Sequence, residues 1–217
     1  MVSLRRSGGI AFLAALALGF AAPEASAAPK PEGTVDMATV VKPGPLPELA
    51  IGPADGVPVV EYGSVTCPHC AAWEKETLPG FKTAYVDTGK VRFIFREFSR
   101  NPLDVAAFTL ARCVGEDKDK AMATIDLEFA TQDKWAFVPN PLDPLLAALR
   151  PTGLPRDKAM ACLKDNALIG KVRGIGETAE KVVKVQGTPT FVINGKSYGG
   201  ELTMADFDEL LKPLVKP

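Results

Sequence analysis

Apolar runs separated by polar and turn-forming residues divide the chain into strands and helices. Runs at 58–62, 91–96 and 190–193 have the length and the β-branched or aromatic content of buried strands. A helical pattern starts at residue 67 and continues towards Tyr85. Because the order is strand, helix, strand, the first two strands are predicted to pair in parallel within a β-α-β unit.

A second block, from about Asn101 to Val185, carries mainly helical signals. Helices are predicted from Pro102 onwards and over 120–131, 142–149, 155–165 and 168–185. Since this block separates strands of one sheet, it is interpreted as a helical subdomain, at about 101–175, inserted into an α/β core. After it, Asn194-Gly195 predicts a tight hairpin turn, and Thr203 with Asp206 predicts a capped final helix.

The first 27 residues have the pattern of a secretory signal peptide. Arginines at 5–6 precede an apolar stretch at 10–22, and Ala25-Ser26-Ala27 matches a cleavage site. The apolar stretch is too short for a membrane span, which needs about 20 residues. We predict a mature start at Ala28, periplasmic or other extracytoplasmic localisation, and no stable membrane insertion after cleavage; an uncleaved anchor is the alternative.

Residues 28–57 contain six prolines and several glycines. This composition predicts a Pro-rich leader or linker without its own core, followed by one folded domain at 58–217. The formal net charge of the chain is −1, and removal of the signal peptide adds only one negative charge. Neither nucleic acid nor an anionic membrane is therefore expected as a partner.

Redox chemistry is indicated by Cys67-Pro68-His69-Cys70, which contains the only histidine of the chain. Two thiols separated by two residues can cycle between a disulfide and a dithiol. Cys67 is predicted at the N-cap of the helix and Pro68 at its first position. The free N–H groups and the positive end of the helix dipole then favour a thiolate on Cys67, and the thiolate is the nucleophile in disulfide exchange.

A second signal lies far along the chain, at Gly187-Thr188-Pro189-Thr190-Phe191, where a proline immediately precedes a predicted core strand. With the segments 61–70 and 85–93, and with the helical insertion, this motif resembles the DsbA-type exported thiol–disulfide oxidoreductases of the thioredoxin superfamily. The resemblance covers roughly residues 59–214. It implies an α/β thioredoxin fold with an inserted helical subdomain.

The resemblance also implies roles for six residues near the redox centre. They are the exposed nucleophile Cys67, the more buried resolving thiol Cys70, the thiolate-stabilising His69, a cis Pro189, a substrate-binding Thr188 and a buried acid, Glu61. Glu61 assists proton movement to and from the buried thiol in this scheme. The alternative for Glu61 is an ordinary, partly exposed strand residue.

The expected activity is the introduction of disulfides into cysteine-containing exported proteins, with a membrane redox partner that reoxidises the dithiol. No cofactor beyond the Cys67–Cys70 disulfide is expected, and no metal. Threonine at 188, where the best-known oxidases have valine, is more typical of isomerases and reductases, so a disulfide reductase or isomerase remains an alternative. A copper- or zinc-binding thiol module, with Cys113 and Cys162 as further ligands for zinc, is a third.

Cys113 and Cys162 lie outside the motif, in the helical section. In an oxidising compartment such a pair tends to form a disulfide, and 113–162 is the pairing that leaves 67–70 free to work. A similar second, non-catalytic disulfide occurs in relatives of this family. The alternative is two buried free thiols that pack as small apolar residues.

Overall fold

A single mixed β-sheet forms the framework of the computed structural model, which describes residues 28–115 and 117–216. Its spatial strand order is β1-β6-β5-β3-β4-β2. The strands are β1 (Gly33–Thr34), β2 (Leu49–Ile51), β3 (Val57–Gly63), β4 (Val91–Glu97), β5 (Thr190–Ile193) and β6 (Lys196–Gly199). Among the strands of the described residues only the pair β3–β4 is parallel, which confirms the predicted β-α-β unit. The predicted signal peptide, 1–27, lies outside the described residues.

Helices surround the sheet and make up most of the described connection between β4 and β5. They are α1 (Met37–Val40), α2 (Pro68–Glu76), α3 (Leu78–Phe81), α4 (Pro102–Cys113), α5 (Lys118–Ala130), α6 (Gln132–Trp135), α7 (Leu142–Ala148), α8 (Arg156–Cys162), α9 (Asn166–Thr178) and α10 (Met204–Leu211). Single π-helical turns follow α3 and α9, at Lys82–Val86 and Ala179–Val183. The succession α4 to α9 confirms the inserted helical subdomain. Within the described ranges no helix is long and apolar enough to cross a bilayer.

Successive side chains of a strand point to opposite faces of the sheet, so the central strands bury apolar side chains on both faces. On one face, Phe93 and Phe191 pack against Trp73 of α2, with ring centroids 5.9 and 4.8 Å apart. On the other, Val60 and Val192 belong to a second buried cluster. Trp73 therefore anchors α2 to the sheet.

The N-terminal segment departs from the sequence prediction. Residues 28–57 were predicted to be a linker without its own core, yet β1 pairs with β6 and β2 pairs with β4, so this segment supplies both edges of the sheet. Leu49 is buried, and the Glu48 carboxylate forms ion pairs with Arg92 and Arg96 of β4. The predicted domain boundary at residue 58 is thus corrected. The edge strands have only two and three residues, too few to show an alternating pattern.

Candidate active site

The N-terminus of α2 holds the two cysteines of the motif. Cys67 is the N-cap residue with extended backbone angles, and Pro68 occupies the first turn. The Cys67 carbonyl accepts the N–H of Ala71 at 3.2 Å, which starts the helix. The local conformation is therefore the one that the sequence predicts. Proline is tolerated at the first helical position because an N–H there would have no partner within the helix.

The Cys67 sulfur faces the loop that precedes β5. Its thiol lies 3.2 Å from the carbonyl oxygen of Thr188, and the Thr188–Pro189 peptide bond is cis, so the structure places these two residues directly beside the motif. The pKa of Cys67 is lowered to about 5, mainly because the Cys70 thiol donates a hydrogen bond to its sulfur. The Thr188 side chain and the backbone N–H groups of Cys70 and His69 add to this effect, while burial opposes it.

Both cysteines are free thiols and both are buried. Cys67 is 2% exposed and Cys70 is 0% exposed, so the expectation of an exposed Cys67 is corrected. The loop at Thr188 covers the Cys67 side chain, a packing arrangement that depends on residues more than a hundred positions away. Burial raises the pKa of Cys70 strongly, and the backbone N–H of Ser64, 3.5 Å from its sulfur, only partly opposes that rise. The two thiols therefore differ sharply in acidity.

Glu61 is fully buried in β3, which rules out the alternative of a partly exposed strand residue. Neither carboxyl oxygen has a hydrogen-bond partner among the described residues. Burial raises the pKa of Glu61, and the charges of Glu74 and Cys67 raise it further. The Glu61 charge in turn raises the pKa of Cys70, so the two groups interact. This placement is compatible with the predicted role in proton movement, which stays a prediction.

His69 points away from the core of the site. Its side chain is 74% exposed, and its Nδ1 lies 2.6 Å from a carboxylate oxygen of Glu201, in the loop after β6. The group of His69 that donates to Cys67 is the backbone N–H. Stabilisation of the thiolate by the imidazole therefore remains a prediction, whereas the backbone contribution would survive a change of side chain.

Asp104 was not predicted from the sequence, and it organises the loop before Cys67. Its buried carboxylate accepts hydrogen bonds from the Ser64 hydroxyl at 2.9 and 3.0 Å and from the Thr66 N–H at 2.9 Å. Burial raises the pKa of Asp104, and these donors oppose the rise. Asp104 belongs to α4, so the helical insertion holds the active-site loop directly.

Two further side chains of the insertion contact the same loop. The Asn101 side-chain oxygen Oδ1 caps α4, and its side-chain Nδ2 donates to the Thr66 hydroxyl at 2.7 Å. The Gln132 amide on α6 donates to the carbonyl oxygens of Val65 and Cys67 at 2.7 and 3.0 Å. Asn101-Pro102 is a readable cap signature, but nothing in the sequence indicates the contact of Gln132, because α6 has only four residues.

Cys113 and Cys162 are joined in a disulfide between α4 and α8, with Cα atoms 6.2 Å apart. The zinc alternative, which uses these two sulfurs together with Cys67 and Cys70, is contradicted because the sulfurs of Cys113 and Cys162 are bonded to each other. Among the described residues, no three or more His, Cys, Asp or Glu side chains converge on one point.

Similarity to known proteins agrees with this geometry. The protein-disulfide oxidoreductase RP025 of Rickettsia prowazekii is 34% identical to this chain, over 63% of this chain and 50% of its own length. Disulfide bond formation protein D of Bacillus anthracis is 31% identical over 74% of this chain and 73% of its own. The chain spans about half the length of the rickettsial relatives that it matches.

The fold has close counterparts among solved structures. The crystal structure of alpha-DsbA1 from Wolbachia pipientis superimposes with a TM-score of 0.72 at 23% identity, over 81% of this chain and 94% of that one. The profile of the family described as Thioredoxin matches residues 47–213, a range that includes β2 and therefore agrees with the earlier start of the domain. With the motif at the start of α2, the cis-proline beside it and this match over most of its length, the chain belongs to the thioredoxin family.

Proposed function

We propose that the protein is a thiol–disulfide oxidoreductase that passes its Cys67–Cys70 disulfide to cysteine pairs of exported proteins. The observation that carries this proposal is the asymmetry of the two thiols. Hydrogen-bond donors lower the pKa of Cys67 to about 5, whereas burial raises that of Cys70. A stabilised Cys67 thiolate favours the reduced form, and a disulfide whose reduced form is favoured is a strong oxidant.

The reaction consists of two exchanges. A substrate thiolate attacks Cys67 in the disulfide, an S–S bond forms between substrate and Cys67, the Cys67–Cys70 bond breaks, and Cys70 leaves with the electron pair and takes up a proton. The second substrate thiolate then attacks the substrate sulfur of the mixed disulfide, and Cys67 leaves as a stable thiolate. Two electrons pass from substrate to enzyme. Glu61, with its raised pKa and its interaction with Cys70, is the proposed proton donor.

The proposed setting is an oxidising compartment outside the cytoplasm. The Cys113–Cys162 disulfide supports it, since structural disulfides persist under such conditions. The names of the Rickettsia and Bacillus relatives refer to disulfide chemistry and support the reaction class. A membrane redox partner that reoxidises Cys67 and Cys70 completes the proposed cycle.

The alternative direction, reduction or isomerisation, is favoured by one residue. Thr188 stands beside Cys67 where valine is familiar in oxidases. Both directions use the same dithiol, so the reduction potential separates them.

The test is the reduction potential of Cys67–Cys70 in the intact protein. The protein is equilibrated in glutathione buffers, trapped by alkylation, and the 67–70 peptide is quantified by mass spectrometry. We expect a potential of about −120 mV, that of a strong disulfide donor. A potential near about −270 mV, that of a reductant, contradicts the oxidase direction and leaves the reductase alternative. The variant Cys67→Ser, Cys70→Ser is the control for signals from elsewhere.

A further inference from the structure

Gln132 contacts the main chain of the loop that leads into the redox motif, and the proposed reaction gives it no role. Its side chain is buried, and its amide nitrogen donates to the carbonyl oxygens of Val65 at 2.7 Å and Cys67 at 3.0 Å. A side-chain amide nitrogen carries two protons for donation. Both are used on these two carbonyls, so one side chain holds both ends of the segment 65–67.

The Cys67 carbonyl is also the first acceptor of α2, through the N–H of Ala71 at 3.2 Å. As the N-cap residue, Cys67 has its sulfur beside N–H groups of the first turn that have no partner within the helix, and such groups favour a thiolate. The same sulfur lies 3.2 Å from the Thr188 carbonyl oxygen. A rotation of the Cys67 carbonyl changes the backbone angle ψ of this residue, and with it the direction of the first turn relative to the sulfur.

The orientation of α6 is fixed by a second residue on the same helix. With four residues, α6 is too short to be stable on its own. Trp135 is fully buried, and its indole N–H donates to the carbonyl oxygen of Glu128 on α5 at 3.1 Å. Residues three positions apart share a face of a helix, so the anchoring of Trp135 also directs Gln132 towards the interior.

We propose that Gln132 is a positioning residue for the Cys67 nucleophile, because it holds the carbonyl at which α2 begins and thereby keeps the sulfur beside the free N–H groups of the first turn. This inference rests on the proposed function, since it assigns a residue that acts on the redox couple through the backbone of Cys67. A glutamine suits the position because it donates two hydrogen bonds without placing a charge next to the thiolate.

The test compares full-length variants with the unaltered protein in one glutathione buffer and measures the ratio of the Cys67–Cys70 dithiol to the disulfide. Gln132→Met keeps the length of the side chain but has no donor. Because the thiolate of the reduced form is then less stable, the ratio should fall about three- to tenfold, the effect of one ordinary hydrogen bond. A tenfold fall makes the potential of this two-electron couple more negative by about 30 mV.

Thr124→Val is the matched control for a general loss of stability. The buried Thr124 hydroxyl donates to the Lys120 carbonyl oxygen at 2.7 Å within α5, so the variant also removes one buried donor to a backbone carbonyl of the helical subdomain. Urea unfolding should show that it is destabilised, while its ratio of dithiol to disulfide stays that of the unaltered protein. An equal shift of the ratio in Thr124→Val overturns the proposal.

Gln132→Asn decides the question if Gln132→Met does not fold. Its amide is shorter by one methylene group and cannot reach both carbonyls, so the ratio should move in the same direction. An unchanged ratio in a folded Gln132 variant overturns the proposal. Each ratio is compared with that of the unaltered protein, so the comparison is valid for an oxidising and for a reducing couple. A reducing potential would therefore defeat the oxidase proposal without deciding the role of Gln132.

Discussion

Hydrogen bonding and burial have opposite effects on the pKa of the Cys67 thiol. Burial of a thiol disfavours its charged form, as the raised pKa of Cys70 shows three residues later. Cys67 is almost as deeply buried, yet its pKa falls to about 5 because several donors converge on its sulfur. Most of these donors come from the first turn of α2, where backbone N–H groups have no partner within the helix. A single turn of helix thus gives two neighbouring cysteines opposite properties.

Alkylation of the reduced protein is expected to follow this difference. The thiolate is the reactive species, so the rate at Cys67 should rise as the pH increases through about 5 and then level off, while Cys70 stays unreactive. Mass spectrometry after timed treatment with iodoacetamide locates the label and gives the profile. Cys70→Ala removes the largest stabilising donor and should move the midpoint to higher pH. A midpoint near the ordinary value of about 8.5 in the unaltered protein would contradict the assignment.

At the scale of elements, the helical insertion and the sheet meet at the active-site loop. Residues 64–67 connect β3 to α2, and their polar groups bond to α4 through Asp104 and to α6 through Gln132. The insertion therefore does more than enlarge the domain, because it satisfies buried groups of the loop that the sheet leaves unpaired. A loop held from both sides keeps the Cys67 sulfur at its position against Thr188.

Asp104→Ala is expected to destabilise the protein by about 3 kcal/mol, because it leaves the buried Ser64 hydroxyl and the N–H groups of Thr66 and Arg100 without an acceptor. Asp104→Asn retains one acceptor oxygen and should cost less. Urea unfolding followed by Trp fluorescence measures the free energy. The matched control is Asp143→Ala, which removes an exposed ion pair with Arg156 and should change stability by less than about 1 kcal/mol. Equal effects of the two alanine variants would show that the network is not structurally important.

At the scale of the whole molecule, two links between distant segments, one of them covalent, complete the domain. The N-terminal segment supplies both edge strands of the sheet, and Glu48 forms ion pairs with Arg92 and Arg96. The Cys113–Cys162 disulfide joins α4 to α8 across 49 positions of sequence. The first link makes the edge strands of the sheet very short, which limits pairing with another chain, and the disulfide restricts the helical subdomain in the unfolded state.

The contribution of the Cys113–Cys162 disulfide to the free energy of unfolding can be measured. Cys113→Ser, Cys162→Ser is expected to lower the free energy of unfolding by about 4 kcal/mol, the chain-entropy value for a loop of this length. Denaturant unfolding of the oxidised proteins makes the comparison. The control is the same comparison after full reduction of both proteins, because neither then contains a disulfide and their stabilities should agree. Identical stability of variant and oxidised parent would mean that the cross-link does not stabilise the fold.

The sequence by itself determined the local features. The strand and helix patterns of the core, the N-cap position of Cys67, the hairpin at Asn194-Gly195 and the capping box at Thr203 are all present in the structure. Each depends on interactions within a few residues, so periodicity and turn chemistry are enough to find it. The likeness of the motif and of the proline at 189 to a known family supplied the pairing of these distant segments.

Only the tertiary structure decided what depends on contacts between distant residues. The edge strands at 33–34 and 49–51 exist because β6 and β4 offer them hydrogen bonds, and their own sequences are too short and too rich in neighbouring prolines to reveal them. The burial of Cys67, the turn of His69 towards Glu201 and the contacts of Asp104 and Gln132 likewise depend on packing. The hydrophobic effect selects which segments meet but has no direction, so the polar contacts at their junction are set by the folded geometry.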